Sequence, residues 1–306
     1  MKKIIMFSVF LILSLPTVAQ DFASRFEQIV QRMDTERYWP FNLIREMDAE
    51  SLPDSLMPLL KQYETFPHSV VQRYIYQSYF DYAMISNDVV FKKQMMTNLL
   101  NACSDSIELS YACSHSIDLL FQFENNLFDQ HVIDTINHRI KNNPRFSISY
   151  AYLSGKLYQY QMIPVFEELL QKESHEEAIR RWHTILARLG NEQSVGIIVD
   201  FLQKMDIADR LWRSEQIFTY VRQKTVIDIL FDDLESGETV LFDYEWLEED
   251  THVLLAYWAL PILTKLIEDF PVQHRKQDGS FYTEEELNIA RAWAKEHRDN
   301  YEIKEE

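Results

Sequence analysis

Apolar residues recur at helical spacing along most of the chain, and the run is clearest over residues 176–205. Ala178, Ile179, Trp182, Ile185, Leu186 and Leu189 fall three and four residues apart, which predicts a helix with one buried face. Gly190 follows the last of them, where a left-handed residue ends many helices. Asn191 or Ser194 then supplies an N-cap, and Val195, Ile198, Phe201 and Leu202 repeat the stripe. The stretch therefore predicts two helices joined by a tight turn.

The second stripe recurs. At offsets 0, 3, 6 and 7 it is matched in full by Ile163, Phe166, Leu169 and Leu170 and by Leu260, Leu263, Leu266 and Ile267. Ile227, Leu230 and Leu234 match three of the four positions, as do Ile133, Ile136 and Ile140. The stripes begin at 133, 163, 195, 227 and 260, so the spacings are 30, 32, 32 and 33 residues. Unrelated helices have no reason to keep such a period. Met57 and Met96 mark two degenerate earlier units. Proline follows the anchor in Met57-Pro58, Ile163-Pro164 and Leu260-Pro261, which suits the first turn of a helix.

First helices are expected between these stripes, at about 68–85, 106–121, 147–157, 176–189 and 209–222. Residues 238–270 are less regular, with 253–267 readable as one helix kinked at Pro261. Residues 21–50, with Trp39 and Phe41, read as an N-terminal helical cap. Near the other end, Asp278-Gly279 reads as a turn. Thr283 and Glu286 then form a capping box for a helix reaching about Asn300, with Leu287, Ala290, Trp293 and Ala294 on its apolar face.

The segment AIRRWHTILARLGNEQSVGIIVDFL resembles a HEAT-type repeat: an arginine-bearing first helix, a Leu-Gly-Asn turn and a Ser-Val start to the second helix. The resemblance is close over these residues and weaker elsewhere. It implies an all-α fold, a right-handed α-solenoid of stacked antiparallel hairpins of the HEAT or armadillo-like kind, and a surface that binds partners. It implies no particular ligand. Five glycines and nine prolines are few for a parallel α/β enzyme. On this reading residues 1–19 are a signal peptide and 20–306 one solenoid domain: a cap at 20–52, repeats over 53–270 and a capping helix within 271–306.

Lys2 and Lys3, an apolar core over 4–16 and the small residues Thr17-Val18-Ala19 have the form of a secretory signal, with a mature start at Gln20 or Asp21. The apolar run is thirteen residues, short of a bilayer core of about 30 Å. Export to a periplasm or medium is expected. The formal charge is −18, or −20 without the two leading lysines (28 basic against 48 acidic). Such a balance argues against nucleic acid and anionic membranes as partners.

No phosphate loop, dinucleotide fingerprint, Gly-x-Ser-x-Gly elbow or His-Glu-x-x-His pair is present; Ile179 stands where the second histidine after His175-Glu176 belongs. His131, Asp134 and His138 share a helix face but lack the further ligands a metal needs. Neither metal nor cofactor is expected. Cys103 and Cys113 invite a disulfide in an oxidising compartment. Geometry argues against it: with Cys113 two turns into its helix, rise alone puts the pair about 10 Å apart, beyond the usual Cα separation. The other reading is two small buried side chains.

Ten acidic residues and no lysine or arginine lie between Asp228 and Asp250, most densely at Asp243, Glu245, Glu248, Glu249 and Asp250. They form a dock for a basic partner, a loose Ca²⁺ site or a solvated face; the spacing does not match a calcium loop. Tyr150, Trp182, Trp212 and Trp246 precede four of the anchors by 13 to 15 residues, and Tyr74, Tyr76, Tyr79 and Tyr82 crowd one helix. These are either ligand platforms or spacers in the core. The expected function is non-catalytic binding of a protein partner. The alternative is a glycan-active helical toroid with two distant carboxylates among Asp81, Asp118, Asp200 and Glu245.

Overall fold

The computed structural model describes residues 24–33, 56–64, 68–101, 110–242, 251–274 and 282–305. Residues 1–19, expected to be a signal sequence, Trp39, Phe41 and the turn expected at 278–279 lie outside them. The described chain is mostly helical and divides into two compact units, residues 1–153 and 154–306.

The first unit holds α1 (24–33), α2 (Leu56–Tyr63), α3 (Ser69–Ile85), α4 (Val89–Asn101), α5 (Ser110–Leu120), α6 (Gln130–Asn142) and most of α7 (Ser147–Lys156). Helix α3 packs on α2, α4 and α5. Its Val71, Tyr74, Ile75, Tyr79 and Ala83 are buried, and Phe26 of α1 sets its ring 5.9 Å from those of both Tyr63 and Tyr74. Tyr74, Tyr76 and Tyr79 are therefore core residues and not a surface patch.

The second unit continues with α8 (Ile163–Lys172), α9 (Glu176–Arg188), α10 (Glu192–Gln203), α11 (Ile207–Arg213), α12 (Glu215–Val221) and α13 (Lys224–Glu235). Strands β1 (Thr239–Phe242) and β2 (Thr251–Leu254) follow, then α14 (Ala256–Leu266) and α15 (Glu284–His297). Helix α9 packs on α8, α10 and α12, and α10 packs on α13.

The turn between α9 and α10 forms as its residues dictate. Gly190 has φ +78°, and the Gly190 and Asn191 amides donate back to the Ala187 and Leu186 carbonyls, both at 3.0 Å. Asn191 Oδ1 accepts from the Ser194 amide at 3.0 Å and caps α10. Trp182 and Leu189 are buried on the expected stripe. At α15 the Thr283–Glu286 capping box is complete, with Leu287, Ala290 and Ala294 buried and Trp293 half-buried.

Three local expectations need correction. The helix expected at 209–222 is two helices broken at Ser214, whose hydroxyl is buried against Met205 Sδ at 3.5 Å. Residues 251–254 form a strand, paired antiparallel with β1 from Thr239–Leu254 to Phe242–Thr251, so helix begins only at Ala256. Pro261 then sits inside α14 and not in its first turn.

Candidate functional site

The aromatic residues that recur at the repeat period do not share one environment. Tyr150 and Trp182 are 0% and 2% exposed, whereas Trp212 is 68% exposed. Trp246 lies outside the described residues. Tyr150 and Trp182 pack within the helices: Arg139 donates to the Tyr150 hydroxyl at 2.7 Å, and Trp182 stands 5.8 Å from the Phe166 ring. Trp212 instead meets Trp258 of α14, with ring centroids 5.6 Å apart and planes at 55°. Trp212 is exposed and Trp258 half-buried beside it.

Trp212 faces outward because the residues before it are held inward. Asp206 caps α11 by accepting from the Asp209 amide at 2.7 Å. Arg210 is buried: its Nε donates to Asp233 Oδ2 at 2.8 Å, its Nη2 to Asp233 Oδ1, and its Nη1 to the Leu202 and Met205 carbonyls, both at 2.9 Å. The Asp233 hydrogen bonds raise the Arg210 proton affinity further, so this cation stays charged. With Arg210 and Leu211 fixed in the core, the next position, Trp212, points to solvent. Two ion pairs flank it, Arg213 to Asp209 at 3.1 Å and Lys265 to Glu215 at 2.6 Å.

The acidic run is more compensated than its sequence suggests. Asp233 pairs with Arg210, Asp232 accepts from Arg298 at 2.7 Å, and Lys295 lies 3.8 Å from Glu235. Tyr301 donates to the Lys224 carbonyl at 3.2 Å and reaches Asp228 Oδ1 at 3.4 Å. Burial raises the Asp228 carboxyl above its ordinary value. The cations come from α11, from α15 and from Arg298 just after it, with Arg210 and Arg298 23 and 66 residues from their partners. Asp243, Glu245, Glu248, Glu249 and Asp250 lie outside the described residues, in the connection from β1 to β2.

The residues considered for chemistry are dispersed. Asp81 is buried and accepts from Gln77 Nε2 at 3.0 Å, whereas Asp118 is exposed on α5. Asp200 is exposed and pairs with Lys204 at 2.5 Å; Glu245 lies outside the described residues. His131, Asp134 and His138 are exposed on α6, where Asp134 accepts from Gln130 at 2.8 Å and His138 meets Asn142 at 3.2 Å. Among the described residues no group of three or more His, Cys, Asp or Glu could hold a metal. His183 Nδ1 lies 3.1 Å from Ser194 Oγ, which has the form of a nucleophile and base. Ser194 is only 2% exposed, however, and burial lowers the His183 proton affinity. The contact ties α9 to α10.

Cys113 is disulfide-bonded, and Cys103 is the one other cysteine of the sequence. Helix α5 spans Ser110–Leu120, which puts Cys113 in its first turn and not two turns in as expected; Cys103 lies outside the described residues. Among the described residues no helix is long and apolar enough to cross a membrane.

Sequence reasoning missed Trp258, Arg210 with Asp233, and the exposure of Trp212. The Arg210–Asp233 pair is 23 residues apart and carries no local signal. Comparison with protein-family models, with curated proteins and with solved structures finds no match to this chain.

Proposed function

We propose that this chain is an exported, non-catalytic binding protein, an α-solenoid of HEAT-like repeats over residues 53–270 that docks a protein partner. The observation that carries the repeat reading is the packing of α9 on α12 and of α10 on α13, first helix on first and second on second. Stacking of like on like is how repeat units bury a continuous core. The exposed Trp212, packed against the half-buried Trp258, supports binding, since interface anchors are commonly tryptophans. The disulfide at Cys113 supports export, since disulfides persist in oxidising compartments. The acidic residues Asp243, Glu245, Glu248, Glu249 and Asp250 are the second part of the proposed docking surface.

The test is affinity capture from the exported fraction, followed by titration of the captured partner, alongside assays for glycan cleavage. A saturable partner and no cleavage supports binding. Cleavage that is lost on substituting Asp81, Asp118, Asp200 or Glu245 overturns it in favour of a carboxylate glycosidase. Small-angle scattering separates the architectures, since an open array is expected and a closed toroid contradicts it.

A further inference from the structure

The arginines and lysines of this protein repeatedly seek aromatic faces. In the second unit Arg180 lies over Phe201 at 4.7 Å, Arg188 over Tyr158 at 4.6 Å, Lys224 over Tyr301 at 5.0 Å and Arg298 over Phe231 at 5.9 Å. Tryptophan offers a cation the strongest such face. Yet among the described residues no lysine or arginine lies over Trp212, the most exposed tryptophan described. Arg213, the residue after Trp212, is held by Asp209, and Lys265, on the helix that carries Trp258, is held by Glu215. The chain as a whole carries 48 acidic residues against 30 basic ones.

We infer that the Trp212–Trp258 pair is a receptor for a lysine or arginine side chain of the protein partner. The inference rests on the binding reading above and names the chemistry of its anchor. Trp212 supplies the π face, and Trp258, tilted at 55°, closes one side. Asp209 and Glu215, three residues to either side of Trp212, are each neutralised by a cation of the chain, so the aromatic face is the recognition element. The negative field of the chain raises the encounter rate with basic partners over neutral or acidic ones.

The test uses the full mature chain and three probes: a fluorescent hexa-arginine peptide, the same peptide with citrulline for arginine, and maltohexaose as a neutral glycan. Binding is read by anisotropy at 0.15 M salt, with maltohexaose as competitor. Hexa-arginine is expected to bind, citrulline to bind at least tenfold more weakly, and maltohexaose not to compete. Trp212→Ala should weaken hexa-arginine roughly 3- to 30-fold, and Trp212→Phe by less, with unchanged thermal melting in both. Equal binding by Trp212→Ala overturns the inference, as does equal binding of the citrulline peptide. Displacement by maltohexaose overturns it in favour of a sugar platform. In each case capture of the partner by the wild-type chain would still stand, so this failure is distinct from failure of the binding reading.

Discussion

Arg188 Nη1 donates to the carbonyl oxygen of Tyr220, 32 residues further on, at 2.7 Å. The same guanidinium lies between two rings, 4.6 Å from the centroid of Tyr158 and 5.6 Å from that of Tyr220. That interval of 32 residues equals the spacing between the stripes that start at 163, 195 and 227. One buried cation thus joins a helix to its counterpart in the next proposed repeat. Gly155 belongs to the same contact, because a Cβ there would collide with the Tyr220 hydroxyl.

Replacing Arg188 with Leu should cost about 2–4 kcal/mol: a charge-assisted hydrogen bond and two desolvated cation–π contacts are lost, and the Tyr220 carbonyl loses a donor. Arg188→Lys should recover part of this, since an ammonium reaches one ring but cannot lie flat between two. Urea unfolding of the three proteins measures it.

Trp182→Ala should cost roughly 3–5 kcal/mol, the range for large-to-small changes in a core. Trp182 is 2% exposed and packs on Phe166. Trp212→Ala, at a position of the same period, should change thermal stability little, because its ring is mostly in water. The contrast between the two melting curves checks that period alone does not set burial.

That contrast marks the limit of what the sequence could reveal. The α9–α10 turn and the start of α15 were legible because each is decided within six residues: Gly190 takes a left-handed φ, Asn191 caps α10, and Thr283 with Glu286 closes a box. The β1–β2 pairing was not, because two four-residue strands between α13 and α14 are too short to carry a period of their own. The break at Ser214 has neither proline nor glycine to announce it and follows from where Arg210 is tethered. Nor could the charge balance at Asp232 and Asp233 be read, because their partners Arg298 and Arg210 lie 66 and 23 residues away. Burial of Trp182 and exposure of Trp212 depend on which helices arrive from elsewhere in the chain.

Stability should also fall with acid through one histidine. His115 has its Nε2 buried with no hydrogen-bond partner, and burial, with the Arg73 cation nearby, lowers its pKa to about 4. An unfolded histidine titrates near 6.5, so between about pH 6.5 and 4 the unfolded chain binds a proton that the folded chain refuses. The His115 contribution is therefore full above pH 6.5 and lost progressively down to about pH 4. Urea midpoints at pH 7, 6, 5 and 4 should show a smaller loss for His115→Gln than for the wild type.

Export and the disulfide can be checked together. Mass spectrometry of the exported product should find Gln20 or Asp21 at the N-terminus and no thiol open to alkylation. Cys113→Ser should cost about 2–4 kcal/mol, as for other disulfides that close short loops. An intact Met1 on a cytosolic chain with two free thiols would contradict both.

The most direct measurement of the proposed function is the affinity of the captured partner for the wild-type chain and for the Glu245→Gln, Glu248→Gln, Glu249→Gln triple variant, each at 0.05 and 0.3 M salt. If docking uses the acidic connection, the wild type should bind more weakly at high salt, mainly through a slower association rate. The triple variant should bind more weakly at low salt, lose most of the salt dependence and keep the wild-type melting temperature. A salt-independent Kd, or full affinity in the triple variant, would contradict docking at this segment and return it to a solvated acidic face.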